Sequence, residues 1–457
     1  MMLLSHAALA TRGRLVGDDV MFDAVTTDSR QVRPGDLFVA LRGERFDGHA
    51  FVADSLRQGA VAAMVDTPLP GDTGTQLVVT DTRLALGRLA AAWRDRCAPA
   101  VAAITGSNGK TTVKEMLASI LRQAAGADQV LATEGNLNND IGLPLTLLRL
   151  QPGQRFAVLE MGMNHAGEIS YLTRLARPDV AVVNNAGPAH LEGLGSIEAV
   201  AYAKGEIFEG LSGEGVAVVN LDDPYASLWT SLAGTRRILG FGLDPAAEVS
   251  ADYAPEVDGC RLRLKTPAGM VDLRLAVPGL HNVRNALAAT AAAHALSIDL
   301  GVIARGLESY VGTRGRLQAR PGRHGALVID DSYNANPASM RAAVSVLAAY
   351  PGRRIFVMGD MGELGDDAAA MHAGIGALAR SEGIDALYGT GPMTAGAVAA
   401  FGPDGRHYAS VEALGEALQD ELREEVTLLV KGSRFMRMER VVAALIEESG
   451  KETRHAA

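Results

Sequence analysis

The sequence predicts an α/β chain of three domains: a small α/β N-terminal domain over residues 1–98, a central parallel-sheet domain over 99–312, and a Rossmann-like C-terminal domain over 313–457. Three observations carry this. The 457 residues suffice for roughly two to four domains. Short apolar runs alternate with helical segments, the pattern of parallel strands covered on both faces. Two breaks, Cys97-Ala98-Pro99 and GTRGRLQ from Gly312, separate three blocks that each follow this grammar.

In the first block, MMLLSHAALA lacks a basic leader and His6 interrupts its apolar run, so it reads as an amphipathic helix rather than a signal segment. Strands follow at DLFVAL (Asp36 to Leu41) and AVAAMV (Ala60 to Val65). The second block opens on the strand Val101 to Thr105 and continues with FAVLEMG (Phe156 to Gly162), DVAVVNNAG (Asp179 to Gly187) and GVAVVN (Gly215 to Asn220). The third carries ALVIDD, RIFVMGD, DALYGTG and VTLLVKGS, each followed by a helical stretch.

Apolar content of 48% and charged content of 21% are ordinary for globular proteins. A formal net charge of −10 argues against a general nucleic-acid binder. Cys97 and Cys260 make neither a disulfide nor a metal pattern, which fits a reducing compartment. No apolar run is long enough to span a membrane. These features lead to the expectation of a soluble, cytoplasmic protein with no nucleic-acid partner and no membrane insertion.

The stretch AITGSNGKTTVKEM reads as strand, glycine loop, helix. Gly106, Gly109, Lys110 and Thr111 match the end of a phosphate-binding loop. The glycines let backbone N–H groups point at phosphates, Lys110 can reach the β- and γ-phosphates, and the Thr111 hydroxyl can ligate Mg²⁺. The usual spacing wants a glycine where Ile104 sits, so TGSNGKTT is a shortened form.

In SIEAVAYAKGEIFEGL, read as one helix from Ser196 to Leu211 with Ser196 as N-cap, Lys204 falls on the apolar stripe of Val200, Ile207 and Phe208. Spacing alone favours a snorkelling lysine whose stem packs and whose head finds water. Glu160 ends an apolar strand, where carboxylates border the ligand crevice of open α/β sheets. It suits Mg²⁺, or it serves the start of the next helix. His190, in PAHLEGLGS, alone reads as an ordinary loop histidine. Asp330-Asp331 either meet a ribose or cap the helix starting near Pro337. Arg314 and Arg316 lie at the second break, where an arginine can complete a site on domain closure.

Together these stretches resemble the Mur ligase family of ATP-dependent amide-forming enzymes of peptidoglycan synthesis. The resemblance spans the chain through TTDSRQVRPGDLFVALRGERFDGHAF, GNLNNDIG, EMGMNHAGEI, AHLEGLGS, AKGEIF, HNVRNALAA, DDSYNANP, GDMGELG and LVKGSR. Within the family, DDSYNANP, GDMGELG and GNLNNDIG point to the branch that joins D-Ala-D-Ala to UDP-N-acetylmuramoyl-tripeptide. The resemblance implies a nucleotide site of Gly106, Ser107, Asn108, Gly109, Lys110, Thr111 and Thr112, with Asn285 on adenine and Asp331 on the ribose. It implies two Mg²⁺ ions held by Thr111, Glu160 and His190. Lys204 would be carbamylated by CO₂ and so turned into an anionic ligand. Lys110, Lys204, His190 and Arg316 would act in catalysis. Ser29, Arg30, Asn138, Asn334 and Asn336 fall in stretches that hold the substrates in relatives. A monomer is expected. The sibling branch that adds meso-diaminopimelate usually carries a DNPR-like stretch in its last domain, and none is found here. A folylpolyglutamate synthase-like ligase, or a phosphate-loop protein that only hydrolyses ATP, are the competing readings.

Overall fold

The computed structural model describes residues 1–43, 46–70, 74–188, 191–244 and 246–447. Three open sheets succeed one another along the chain. The first has five strands in the order Arg14–Val16, Gln76–Val78, Ala62–Val65, Asp36–Val39, Ala24–Thr26, all parallel except the first pair. The opening helix is Leu4–Thr11; it buries Leu4, Ala7 and Thr11 and leaves Leu9 outside.

The central sheet has six parallel strands in the order Arg237–Phe241, Val216–Asn220, Val180–Val183, Ala100–Thr105, Phe156–Glu160, Val130–Ala132. Helices cover both faces, which is why the strands read as unbroken apolar runs. On one face the helix Lys110–Ala125 buries Val113, Met116, Leu117, Ile120 and Leu121. On the other, Ile207, Phe208 and Trp229 pack under Leu159 and Val183. Each such side chain contributes about 1.5–3 kcal/mol by leaving water.

The chain runs from Ala100–Thr105 to one side of the sheet, then crosses to the other side at Val180–Val183. The strand end at Thr105 is therefore the topological switch point, where open α/β sheets form their crevice. A three-stranded antiparallel meander, Ser250–Glu256, Gly259–Thr266 and Gly269–Leu275, interrupts this domain and was not expected from the sequence.

The third sheet also has six strands, in the order Gln318–Pro321, Leu327–Asp331, Val426–Lys431, Arg353–Gly359, Ala386–Thr390, Gly405–Tyr408, with only the first antiparallel. Asp331 and Lys431 end neighbouring strands in register.

The expected helix Ser196 to Leu211 divides. An α-helix spans Ile197–Gly205, with the Ser196 hydroxyl accepting from Ala199 N as its cap, and a 3₁₀ turn covers Glu206–Gly210. A Cβ on Gly205 would lie 2.3 Å from Leu232 Cδ1, so glycine there permits close helix packing. Neither Asp330 nor Asp331 caps the next helix. Asn336 does, in a reciprocal box with Ser339. Asp330 accepts from the Ser332 amide and hydroxyl instead.

Candidate active site

The phosphate loop is held open from behind by asparagines. Asn108 N donates to Asn185 Oδ1 at 2.8 Å, and Asn108 O accepts from Asn184 Nδ2 and Asn185 Nδ2 at 2.9 and 3.0 Å. Ser107 Oγ donates to Gly187 O and accepts from Gly187 N. Gly109 has φ +79°, and a Cβ there would sit 2.3 Å from Asn285 Oδ1 and 2.6 Å from Asn184 Nδ2. Both contacts are below any real van der Waals approach. Gly109→Ala is expected to leave the fold intact but weaken ATP binding at least tenfold, by displacing Asn184 and Asn285. Equilibrium nucleotide binding measures this, and unchanged affinity would refute it.

Lys110 opens the helix behind the loop, and its Nζ donates to Gly106 O at 2.7 Å. Burial pushes its ammonium below the usual lysine value; Glu160 opposes this and Arg316 adds to it. Thr111 Oγ1 donates to Glu160 Oε2, and Asn138 Nδ2 to Glu160 Oε1, both at 2.8 Å. Glu160 is buried and faces this site rather than the next helix. It is Glu206 that accepts from Gly167 N and Ser170 N at the start of the following helix. Thr111 hydroxyl and Glu160 carboxylate are hard oxygen donors, the set that suits Mg²⁺.

Lys204 does not snorkel. Its side chain is 1% exposed, and among the described residues no carboxylate pairs with it. Burial drives its amine well below the usual lysine value, and the charge of Lys110 lowers it further. An unpaired buried ammonium is costly, so burial favours Lys204 as the free amine.

The third domain supplies the opposite wall. Arg316 donates to Thr111 Oγ1 at 3.4 Å, and Asn336 Nδ2 to Asn108 Oδ1 at 2.7 Å. Lys431 Nζ lies 2.6 Å from Asp331 Oδ2 and 2.9 Å from Asn334 O. Burial pulls both members of the Asp331–Lys431 pair toward neutrality, and their mutual attraction opposes it. Between the walls is a cleft of about 360 Å³, lined in part by Asn285, His281, Asp222, Arg316 and Asp331. It adjoins a smaller pocket at Lys110 and Thr111 through the shared Asn108, Gly109 and Arg316. The larger space fits a base and ribose, and the smaller one, ringed by cationic groups and loop amides, fits phosphates.

Burial, with help from Lys431 and Arg284, lowers His281 to about 4 from 6.5. Between those values the unfolded chain takes up a proton that the folded chain refuses, so stability falls as pH falls through that window. In His281→Gln this loss is expected to shrink, read as a flatter dependence of unfolding free energy on pH. An equal slope in both proteins would refute it.

The structure thus brings Gly106 through Thr112, Asn138, Glu160, Lys204, Asn285, Arg316, Asp331, Asn334 and Asn336 to the two facing strand-end walls and their supports. Asn285 is buried and bonded to Asn184 and Asn282. Ser29 and Arg30 lie in the first domain, away from the cleft lining. Arg30 is exposed and forks onto Asp28 at 2.9 and 2.8 Å, which holds that carboxyl well below its usual range. His190 lies outside the described residues. Sequence reasoning missed Asn184 and Asn185, although VVNN at a strand end was a visible signal. It also missed Lys114, which is 1% exposed and donates to Thr133 O at 2.5 Å. Thr133 Oγ1 in turn accepts from Glu160 N at 3.0 Å.

Three family models match in chain order: the Mur ligase family catalytic domain over residues 22–94, the Mur ligase middle domain over 104–293, and the Mur ligase glutamate ligase domain over 315–434. The UDP-N-acetylmuramoyl-tripeptide–D-alanyl-D-alanine ligase of Escherichia coli (strain K12) is 46% identical over 450 residues, covering 97% of this chain and 98% of that protein. The chain belongs to the Mur ligase family. Among solved Mur ligases, a crystal structure of MurF from Acinetobacter baumannii superposes with a TM-score of 0.90 at 39% identity, covering 97% of this chain and 98% of that one. The MurF ligase from Thermotoga maritima, solved in complex with ADP, gives 0.82 at 29% identity, covering 93% and 98%. No helix among the described residues is long and apolar enough to cross a membrane.

Proposed function

We infer that this Mur ligase joins D-Ala-D-Ala to UDP-N-acetylmuramoyl-tripeptide, consuming ATP and releasing ADP and phosphate. The observation that carries the reading is the end-to-end 46% identity to the Escherichia coli ligase of that name. The two-walled cleft supports it, with a phosphate loop on one side and a second domain's arginine on the other.

A free carboxylate is a poor acyl donor because an oxide cannot leave. Phosphorylation by ATP makes that oxygen a leaving group. The terminal carboxylate of the tripeptide attacks the γ-phosphorus, ADP departs, and an acyl phosphate forms. The dipeptide amine then attacks the acyl carbon, gives up a proton, and phosphate leaves. Lys110 and the loop amides stabilise charge on the transferring group, and Arg316 reaches it from the seam. Thr111 and Glu160 would hold Mg²⁺, with His190 and a carbamylated Lys204 completing a second site. The ions would supply charge neutralisation around the phosphates. Asn138 and Thr111 fix the Glu160 carboxylate, and Asn285 and Asp331 take the adenine and ribose.

In this reading residues 1–98 grip the uridine nucleotide through the Ser29-Arg30 loop, residues 99–312 hold ATP, and residues 313–457 close over both and exclude water from the acyl phosphate. Asn334 and Asn336 border the incoming dipeptide. The chain acts as a cytoplasmic monomer, which sedimentation of the purified protein tests. The reaction is tested by phosphate release with ATP and Mg²⁺, adding UDP-tripeptide and D-Ala-D-Ala singly and together. Release that needs both, with a UDP-pentapeptide identified by mass, is expected. ATP turnover indifferent to both would replace this reading with that of a simple ATPase.

A further inference from the structure

Arg316 poses a physical problem. Among the described residues no carboxylate forms a salt bridge with its guanidinium, although Asp331 feels its charge, and the guanidinium's one hydrogen bond there, to Thr111 Oγ1, is long at 3.4 Å. Thr111 Oγ1 accepts that bond on a lone pair while donating its own proton to Glu160. A guanidinium on a flexible stem, without an anion to anchor it, populates many rotamers. An anchoring carboxylate would also weaken the charge it offers to phosphate. Something else must fix it.

The aromatic ring of Tyr333 lies against it. The Arg316 guanidinium carbon is 4.3 Å from the ring centroid, well inside the range of a cation–π contact. The base of the Tyr333 side chain is itself held. Tyr333 N donates to Gly315 O at 3.2 Å, and a Cβ on Gly315 would come within 3.1 Å of Tyr333 Cβ. A second guanidinium, of Arg434 in the KGSR turn, lies 5.6 Å from the same centroid. The ring therefore binds the seam segment to the loop after the strand Leu327–Asp331, and both arginines bear on it.

We propose that Tyr333 is a positioning residue: its ring face holds the Arg316 guanidinium at the phosphate end of the cleft without neutralising it. A ring quadrupole attracts the cation yet leaves its N–H donors and its full charge for the ligand. This rests on the role given to Arg316 above. It makes the ring face, not the phenol hydroxyl, the functional part of Tyr333.

The test is steady-state kinetics of full-length variants with all three substrates. Tyr333→Phe keeps the face and should stay within about twofold of the parent. Tyr333→Leu keeps bulk but loses the face, and kcat should fall roughly tenfold or more while KM for the UDP-tripeptide holds. In an Arg316→Ala background the same Leu substitution should cost nothing further. Should Tyr333→Leu misfold, phenylalanines of increasing fluorination at 333 keep the shape and drain the quadrupole, and kcat should fall stepwise with fluorine count. A Leu variant with parental kcat, full additivity with Arg316→Ala, or indifference to fluorination overturns the proposal. An Arg316→Ala protein of normal kcat removes instead the role of Arg316, and the proposal with it.

Discussion

Lys110→Met is expected to lower kcat by about three orders of magnitude while leaving UDP-tripeptide binding close to that of the parent. The position of the group sets the size of the effect. Its Nζ is tied to Gly106 O at 2.7 Å, so the ammonium stands at the mouth of the loop where the β- and γ-phosphates would lie. In phosphoryl transfer the protein contributes almost entirely by placing and stabilising charge, and Lys110 is the cation rooted in the loop itself, with Arg316 and Lys431 facing it from the third domain. The same substitution should not destabilise the fold. Burial depresses the folded-state pKa of Lys110, so the charged group costs stability at every pH below that value, and methionine removes the cost. A thermal midpoint equal to or above the parent's is expected near neutral pH. Near-parental turnover would overturn the assignment of the loop. A collapse of the midpoint would mean that Lys110 holds the loop structurally and that the kinetic loss says little about chemistry.

The parallel sheets were legible because both their faces are buried, which makes each strand an apolar run that needs no alternation to be seen. The phosphate loop was legible because glycine, lysine and threonine are demanded at fixed offsets by one local turn. The meander Ser250–Leu275 was overlooked although its signal is plain afterwards: in CRLRLK, Cys260, Leu262 and Leu264 point inward and Arg261 and Arg263 outward. The asparagine support of the loop was harder. Asn184 and Asn185 lie more than 70 residues from Asn108, and nothing local to either stretch announces the other. Lys114 reads as an ordinary helix lysine until Thr133 is brought across it. Lys204 shows the limit most clearly. A helical stripe says which side of a helix a residue occupies, and not how many layers cover it. The snorkelling reading was reasonable for one covering layer. The actual helix is packed by Trp229 and Phe208 beneath a six-stranded sheet, and the head group cannot reach water.

That depth makes Lys204 the source of the second large effect. Lys204→Ala is expected to lower kcat at least a hundredfold with little change in KM for the UDP-tripeptide. An unpaired ammonium is costly in this place, where burial and the neighbouring charge of Lys110 both penalise it. Both shift the balance from the ammonium toward the free amine, and the free amine is the form that adds to CO₂, losing a proton to give a carbamate. On the carbamylation proposed above, the cation that Lys110 repels would become an anion that Lys110 attracts. The sign of the pH effect follows: as pH falls, the amine is protonated, carbamate is lost, and activity should decline with it. Two further readouts separate this from simple loss of packing. A short carboxylic acid, able to enter the space left by alanine, should restore part of the rate to Lys204→Ala and none to Lys110→Met. Labelled CO₂ should give a carbamate carbon signal in the parent that is absent from Lys204→Ala. A fully active Lys204→Ala enzyme would return the residue to packing alone. An impaired variant without rescue, alongside a parent without the carbon signal, would leave Lys204 acting as a buried amine and would remove it from the second metal site proposed above.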